Sequence, residues 1–136
     1  MYENKIAIVV LNHLADWQKL NITAFLSSSV AIAFPETHGA PLLSASGTPY
    51  LPLLKHPVLI YAAETIEQIK RTFNRSQERK LHIGVFIKEL FSTKNEEENL
   101  EEVAKHTDAE LNLMGIIIYG DTKKVDKAID KLKFHS

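Results

Sequence analysis

The chain contains no cysteine, which excludes disulfides, thiolate zinc ligands and a cysteine nucleophile. Its five glycines are dispersed, so neither a P-loop nor the dinucleotide-binding fingerprint is present and no cofactor is expected. The six histidines form no pair at i, i+3 or i, i+4, so no metal site is expected from one helix, and no Gly-x-Ser-x-Gly elbow exists for a serine hydrolase. No apolar run reaches the roughly 20 residues of a membrane-spanning helix. A basic segment with an apolar core and cleavage site is also missing before the first strand-like stretch, so no signal peptide and no membrane partner are expected. The expected location is the cytoplasm. Charge of either sign barely prevails, with 16 Lys+Arg against 17 Asp+Glu, so nothing draws the whole molecule to nucleic acid or anionic lipid.

What is present is enough apolar material for a core. At 136 residues, 45% of them hydrophobic, the chain is expected to be a single domain over residues 1–136 that needs no staples. Lys5 to Leu11 is a short β-branched run suited to a strand buried on both faces. Asp16 is placed to cap a helix running from Trp17 to about Ala33. On it, Leu20, Ala24 and Ala31 share one side, Ile22, Phe25 and Leu26 widen the apolar face, and Lys19, Thr23 and Ser27 form a polar stripe. Trp17 reads as a core anchor. Ser27, Ser28 and Ser29 permit close approach, most simply by a neighbouring strand.

Residues 35–56 form a Pro-rich excursion, read as an edge hairpin or ordered loop turning at Gly47-Thr48, because Pro41, Pro49 and Pro52 cannot donate to a central ladder. Pro57 to Ala63 is a second buried strand, and Thr65 opens a helix with Ile66, Ile69 and Phe73 inward. Leu81 to Leu90 is a third strand, Asn95 to His106 an acidic helix, and Leu113 to Tyr119 a fourth core strand. Gly120-Asp121-Thr122 starts a last helix with Val125, Ala128, Ile129 and Leu132 inward and Lys131 and Lys133 complementing its C-terminal dipole. Alternating strands and amphipathic helices predict an α/β domain with helices on both sheet faces. The charges segregate into a basic cluster (Lys70, Arg71, Arg75, Arg79, Lys80) and an acidic one (Glu96, Glu97, Glu98, Glu101, Glu102), read first as solvated helix faces.

Three stretches together resemble a bacterial family without assigned activity, the domain of unknown function two-thousand. They are Lys5–Leu11 with Asp16–Leu26, Gly47–Pro52 with Pro57–Leu59, and Glu89–Asn95 with Asn99. That family is similar in fold to type II peptidyl-tRNA hydrolase, which implies a single-domain mixed β-sheet flanked by helices. The match to the hydrolase is partial. Lys19 matches the first lysine of its Lys-Gly-Lys, Leu20 and Asn21 replace the Gly-Lys, Phe25 stands for its Gln and Ser28 for its active-site His. Further on, Glu89 stands for its Asp and Thr93 retains its Thr.

The retained frame of Lys19, Glu89 and Thr93, with the His lost, makes a small polar or anionic ligand the leading expectation, a nucleotide or an RNA end among them. Thr23, Ser27 and Asn95 would extend that binding site. The alternative is a hydrolase of esters such as peptidyl-tRNA, with Lys19, Glu89 and Thr93 catalytic and Glu89, its pKa raised, as general base. The frame lines one cleft if the third strand neighbours the first. Equally, Glu89 can pair with Lys88 or Lys19 while Thr93 caps the next turn. A third reading is a structural or partner-binding module whose segment Phe34–Leu54 pairs with another subunit, with a homodimer as the expected state.

Overall fold

The computed structural model describes residues 2–136. At its centre is β1 (Asn4–Leu11), whose residues from Ile6 to Leu11 are all buried. It pairs parallel with β4 (Val58–Ala63) and antiparallel with β6 (Leu113–Asp121), so from Ile6 to Val10 its backbone is paired on both sides. β5 (His82–Ile87) adds antiparallel to β6, and β7 (Lys133–Phe134) adds antiparallel to β4, giving the order β5-β6-β1-β4-β7. β6 therefore separates the third core strand from the first.

Helices cover both faces of this mixed sheet. α1 (Asp16–Ala33) packs on β6, β1 and β5, while α2 (Ile66–Glu78) and α4 (Thr122–Ala128) pack together on the opposite face. α3 (Glu96–Ala104) follows a 3-10 turn at Lys88–Ser92 beyond the end of β5. The excursion forms a separate hairpin of β2 (Leu42–Leu43) and β3 (Pro49–Tyr50), with Gly47 at the turn in the left-handed region (φ 80°) that a side chain resists.

Capping residues place the helices. Thr65 accepts from Gln68 N–H to open α2, Asn95 accepts from Glu98 N–H to open α3, and Asp121 accepts from Lys124 N–H to open α4. Asn95, and not Thr93, is thus the cap of α3. At α1 the cap is Ala15 instead of Asp16, and the Gln18 side chain closes the end by accepting from Ala15 N–H at 3.0 Å. The last helix ends early. Lys131 takes φ 78°, the chain reverses, and Lys133 and Phe134 enter the sheet, with Phe134 stacked on Tyr61 at 4.7 Å. The dipole role expected of Lys131 and Lys133, and the helical place of Leu132, give way to that strand. Val125, Ala128 and Ile129 are buried as the spacing required, as are Ile69 and Phe73, while Ile66 is exposed.

α1 settles differently from its expected face. Its buried stripe is Ile22, Leu26 and Val30, whereas Leu20 is 69% exposed, Ala24 is exposed and Ala31 half-buried. The helix is apolar nearly all round, so periodicity alone does not select a face. The choice is made by the sheet. Gly115 on β6 leaves room for Ile22 and Leu26, and a Cβ there would lie 2.5 Å from Ile22 Cγ2. Gly84 on β5 similarly receives Ser29, whose Oγ would lie 2.8 Å from an added Cβ, the close strand approach expected of the serine run.

Gly115→Ala is accordingly expected to destabilise the fold by about 1–3 kcal/mol, as overpacking a tight contact does. A denaturant melt of the variant with an unchanged midpoint would show that α1 does not press on β6 there.

Candidate functional site

Because successive residues turn about 100° around a helix, seating Ile22, Leu26 and Val30 on the sheet fixes both flanks of α1. Trp17, Asn21, Phe25, Ser28 and Ile32 project over β5. Lys19, Thr23 and Ser27 lie on the other flank, where Lys19 reaches His135 just past β7. The first flank overhangs a groove of about 730 Å³, whose other wall is Phe86 with the segment from Leu90 to Asn99. Aromatic rings run along it. Phe86 meets Phe91 at 4.9 Å, and Trp17 meets Phe91 edge-on at 5.7 Å. Trp17 is no core anchor: it is 61% exposed, standing over the groove.

The groove carries polar groups at one end. Thr93 is hydrogen-bonded to the Leu90 carbonyl at 3.0 Å and to the Asn99 side-chain amide. Among the described residues Asn21 has no side-chain hydrogen-bond partner, and Lys94 and Asn95 also line the groove. The structure thus brings Thr93 and Asn95 of the expected set into one groove.

Glu89 lies in adjoining depressions. One, of about 320 Å³, combines Glu89 and Thr93 with Glu98, Glu101 and Glu102, and the other, of about 470 Å³, combines Glu89 with Gln18, Lys88 and Asn112. The Glu89 carboxylate accepts from Asn112 Nδ2 at 2.9 Å and faces His106 Nε2 at 3.6 Å. Its own backbone N–H and the Asn112 amide hold its carboxyl below the usual glutamate range, with His106 and Lys88 acting in the same direction. This reverses the raised pKa expected of a general base: Glu89 is ionised at neutral pH and only weakly basic.

Lys19 is elsewhere. Its ammonium donates to the Asn12 carbonyl at 3.2 Å and to His135 Nε2 at 3.0 Å, on the flank of α1 away from the groove. Thr23 donates to Leu20 O at 2.8 Å one turn on, and Ser27 is half-buried on the same flank. The sheet order explains the separation, since β6 stands between β1 and β5 and moves the end of β5 away from Lys19. Lys19, Glu89 and Thr93 therefore do not line one cleft, and Glu89 pairs with Asn112 and His106 in place of a lysine. The sequence reading gave no site role to His106, Asn112, Asn21 or Asn99. Of these only Asn99, six residues beyond Thr93, carried a local signal. Among the described residues no group of three or more His, Asp or Glu side chains is arranged to hold a metal ion, and no helix is long and apolar enough to cross a membrane.

A family model described as "Protein of unknown function (DUF2000)" matches residues 4–136. A solved structure of a protein of unknown function, Atu0240 from Agrobacterium tumefaciens strain C58, superposes with a TM-score of 0.94 at 32% identity, covering 100% of both chains. No curated protein matches.

The lowered Glu89 pKa carries a stability consequence. A carboxylate with a depressed folded pKa stabilises the fold above its unfolded pKa, and that contribution is lost as pH falls through the folded value. Glu89→Gln is therefore expected to lower stability at neutral pH, with the gap to the parent closing in acid below about pH 4. Paired thermal melts across that range check it, and a gap that widened in acid would contradict the assignment.

Proposed function

The chain belongs to the DUF2000 family, and from that premise we propose that it is a binding domain for a small molecule with a flat ring and a polar edge, such as the base of a nucleotide or an unpaired RNA end. The reading is carried by one observation. An exposed tryptophan stands over a groove whose aromatic wall ends in a hydroxyl and two side-chain amides, Thr93, Asn21 and Asn99. An aromatic platform supplies stacking that tolerates any flat ring, and the amides supply donors and acceptors for its edge. Lys94, among the lining residues, offers a cation for a phosphate, while Glu96, also lining the groove, disfavours a highly charged anion. In this reading Thr93 and Asn95 are the members of the sequence-derived frame that touch the ligand, and Lys19, Thr23 and Ser27 hold the far side of α1.

Trp17 is the only tryptophan, so its emission reports on the groove directly. Nucleosides and mononucleotides are expected to perturb that emission, and calorimetry on Trp17→Ala is expected to show binding weakened about tenfold, the scale of one stacked base. Thr93→Val is expected to weaken binding with the emission response retained. Failure of every such compound to bind at about millimolar concentration, with the fold intact, would reject the reading.

A second reading, ester hydrolysis in the manner of the peptidyl-tRNA hydrolases whose fold the sequence resembles, is favoured by the Glu89–His106 pair. There the imidazole, faced by the carboxylate at 3.6 Å, would supply the proton shuttle that Ser28 cannot. Its test is a peptidyl-tRNA release assay. Turnover is expected to fall by about 100-fold or more in His106→Ala, the scale of general-base catalysis. Absence of turnover in the parent removes the reading.

A further inference from the structure

The outer edge of β5 is open over His82–Val85, while Phe86 and Ile87 at its end are buried. Its six residues, His-Ile-Gly-Val-Phe-Ile, pair with β6 on one side only, and among the described residues no backbone hydrogen bond joins them to any other segment. They contain no charge and no proline, the features that ordinarily keep an edge from pairing. The flank of α1 above this edge is equally bare: from Leu20 to Phe34 there is no charged residue, while Phe25 is 56% and Ile32 81% exposed. An unpaired strand and an uncovered apolar helix flank thus overhang the same border.

The charge clusters flank that border at its two ends. Arg79 and Lys80 immediately precede β5, countered locally by Glu78, and Glu96 and Glu97 follow it at the start of α3, countered by Lys94. One end is net basic, the other net acidic. A two-fold axis perpendicular to the sheet, placed beside β5, sets two copies of the strand antiparallel and brings each basic end against the partner's acidic end. It also brings the two α1 flanks together on one face. Their axes are then about three strand spacings, or about 14 Å, apart, wider than the 8–10 Å of bare helix packing, and large side chains such as Phe25 and Ile32 are what fills such a gap.

We propose that the occupant of this border is a second copy of the chain, paired antiparallel through β5 and through the Phe25–Ile32 flank of α1, with Lys80 of each copy facing the other copy's Glu96. An isologous contact sets a patch against itself, so a charge near the axis would meet its like, and the centre of this patch has none. The pairing would join two five-stranded sheets into one and close the open side of the groove. It needs no bound ligand and stands independently of the binding function.

Sedimentation velocity on the ligand-free protein is the test. A dimer is expected at about 100 µM, where micromolar affinity leaves little monomer. Phe25→Glu, at a position more than half exposed, is expected to yield monomer with an unchanged circular dichroism spectrum. Lys80→Glu and Glu96→Lys are each expected to weaken the dimer about tenfold by setting like charges together, and the double variant to restore it. A monomeric parent overturns the proposal. So does a dimer that ignores Phe25→Glu, or one whose two charge swaps fail to compensate, since either outcome assigns the contact to another surface such as the β2–β3 hairpin.

Discussion

The contact of α1 with two glycines governs most of what is distinctive in this molecule. Gly115 and Gly84 take away the side chains that would hold the helix off β6 and β5, and Ile22, Leu26 and Ser29 fill the space. Once that seat fixes the rotation of the helix, the direction of every other residue on it follows from helical geometry. Trp17, Asn21 and Phe25 overhang the β5 edge, and Lys19 is carried across to Asn12 and His135. The groove is therefore not added to the fold. It is the space left where a helix is seated on two strands and its flank extends past the last one.

The sheet beneath was largely legible from residue order. Each long strand was marked by a β-branched run, and the Thr65 start of α2 and the hairpin turn at Gly47 were each announced by a residue type with a local mechanism, whereas the cap read at Thr93 falls at Asn95. What resisted reading has physical causes of two kinds. The buried face of α1 is decided by glycines almost 60 and 90 residues away in sequence, and a helix with apolar residues all round carries no signal of its own. β7 has two residues and no pattern, and exists because Lys131 turns the chain back onto the otherwise unpaired edge of β4. The order of strands was hidden for the same reason, since an antiparallel insertion of β6 between β1 and β5 leaves no trace in either neighbour's composition.

That insertion also explains the fate of the polar frame. Lys19, Glu89 and Thr93 form one cleft only if the end of β5 lies next to the end of β1, and β6 occupies that place. Glu89 finds its partners on the stretch between α3 and β6, His106 just after the helix and Asn112 just before the strand. The carboxylate is held ionised by hydrogen bonds, which suits orientation of an imidazole better than abstraction of a proton. A chemical role at this point would rest on His106, a residue no local spacing singled out.

The two borders of the sheet are treated in opposite ways. At one, β7 is only two residues long and carries a lysine, so little ladder is offered to a passing strand. At the other, β5 leaves His82–Val85 open, without charge, proline or, among the described residues, a backbone partner, beneath a helix flank that exposes phenylalanine and isoleucine. A border of that kind left open is an aggregation liability, and the short charged edge opposite demonstrates that the same chain can blunt one. The hairpin cannot cover it, because its anchoring bridge joins His38 to Leu54 and its strands pair only with each other. The two borders thus differ in what they offer: one is closed to pairing, and the other, with the groove opening along it, is the border at which the proposed second copy would pair.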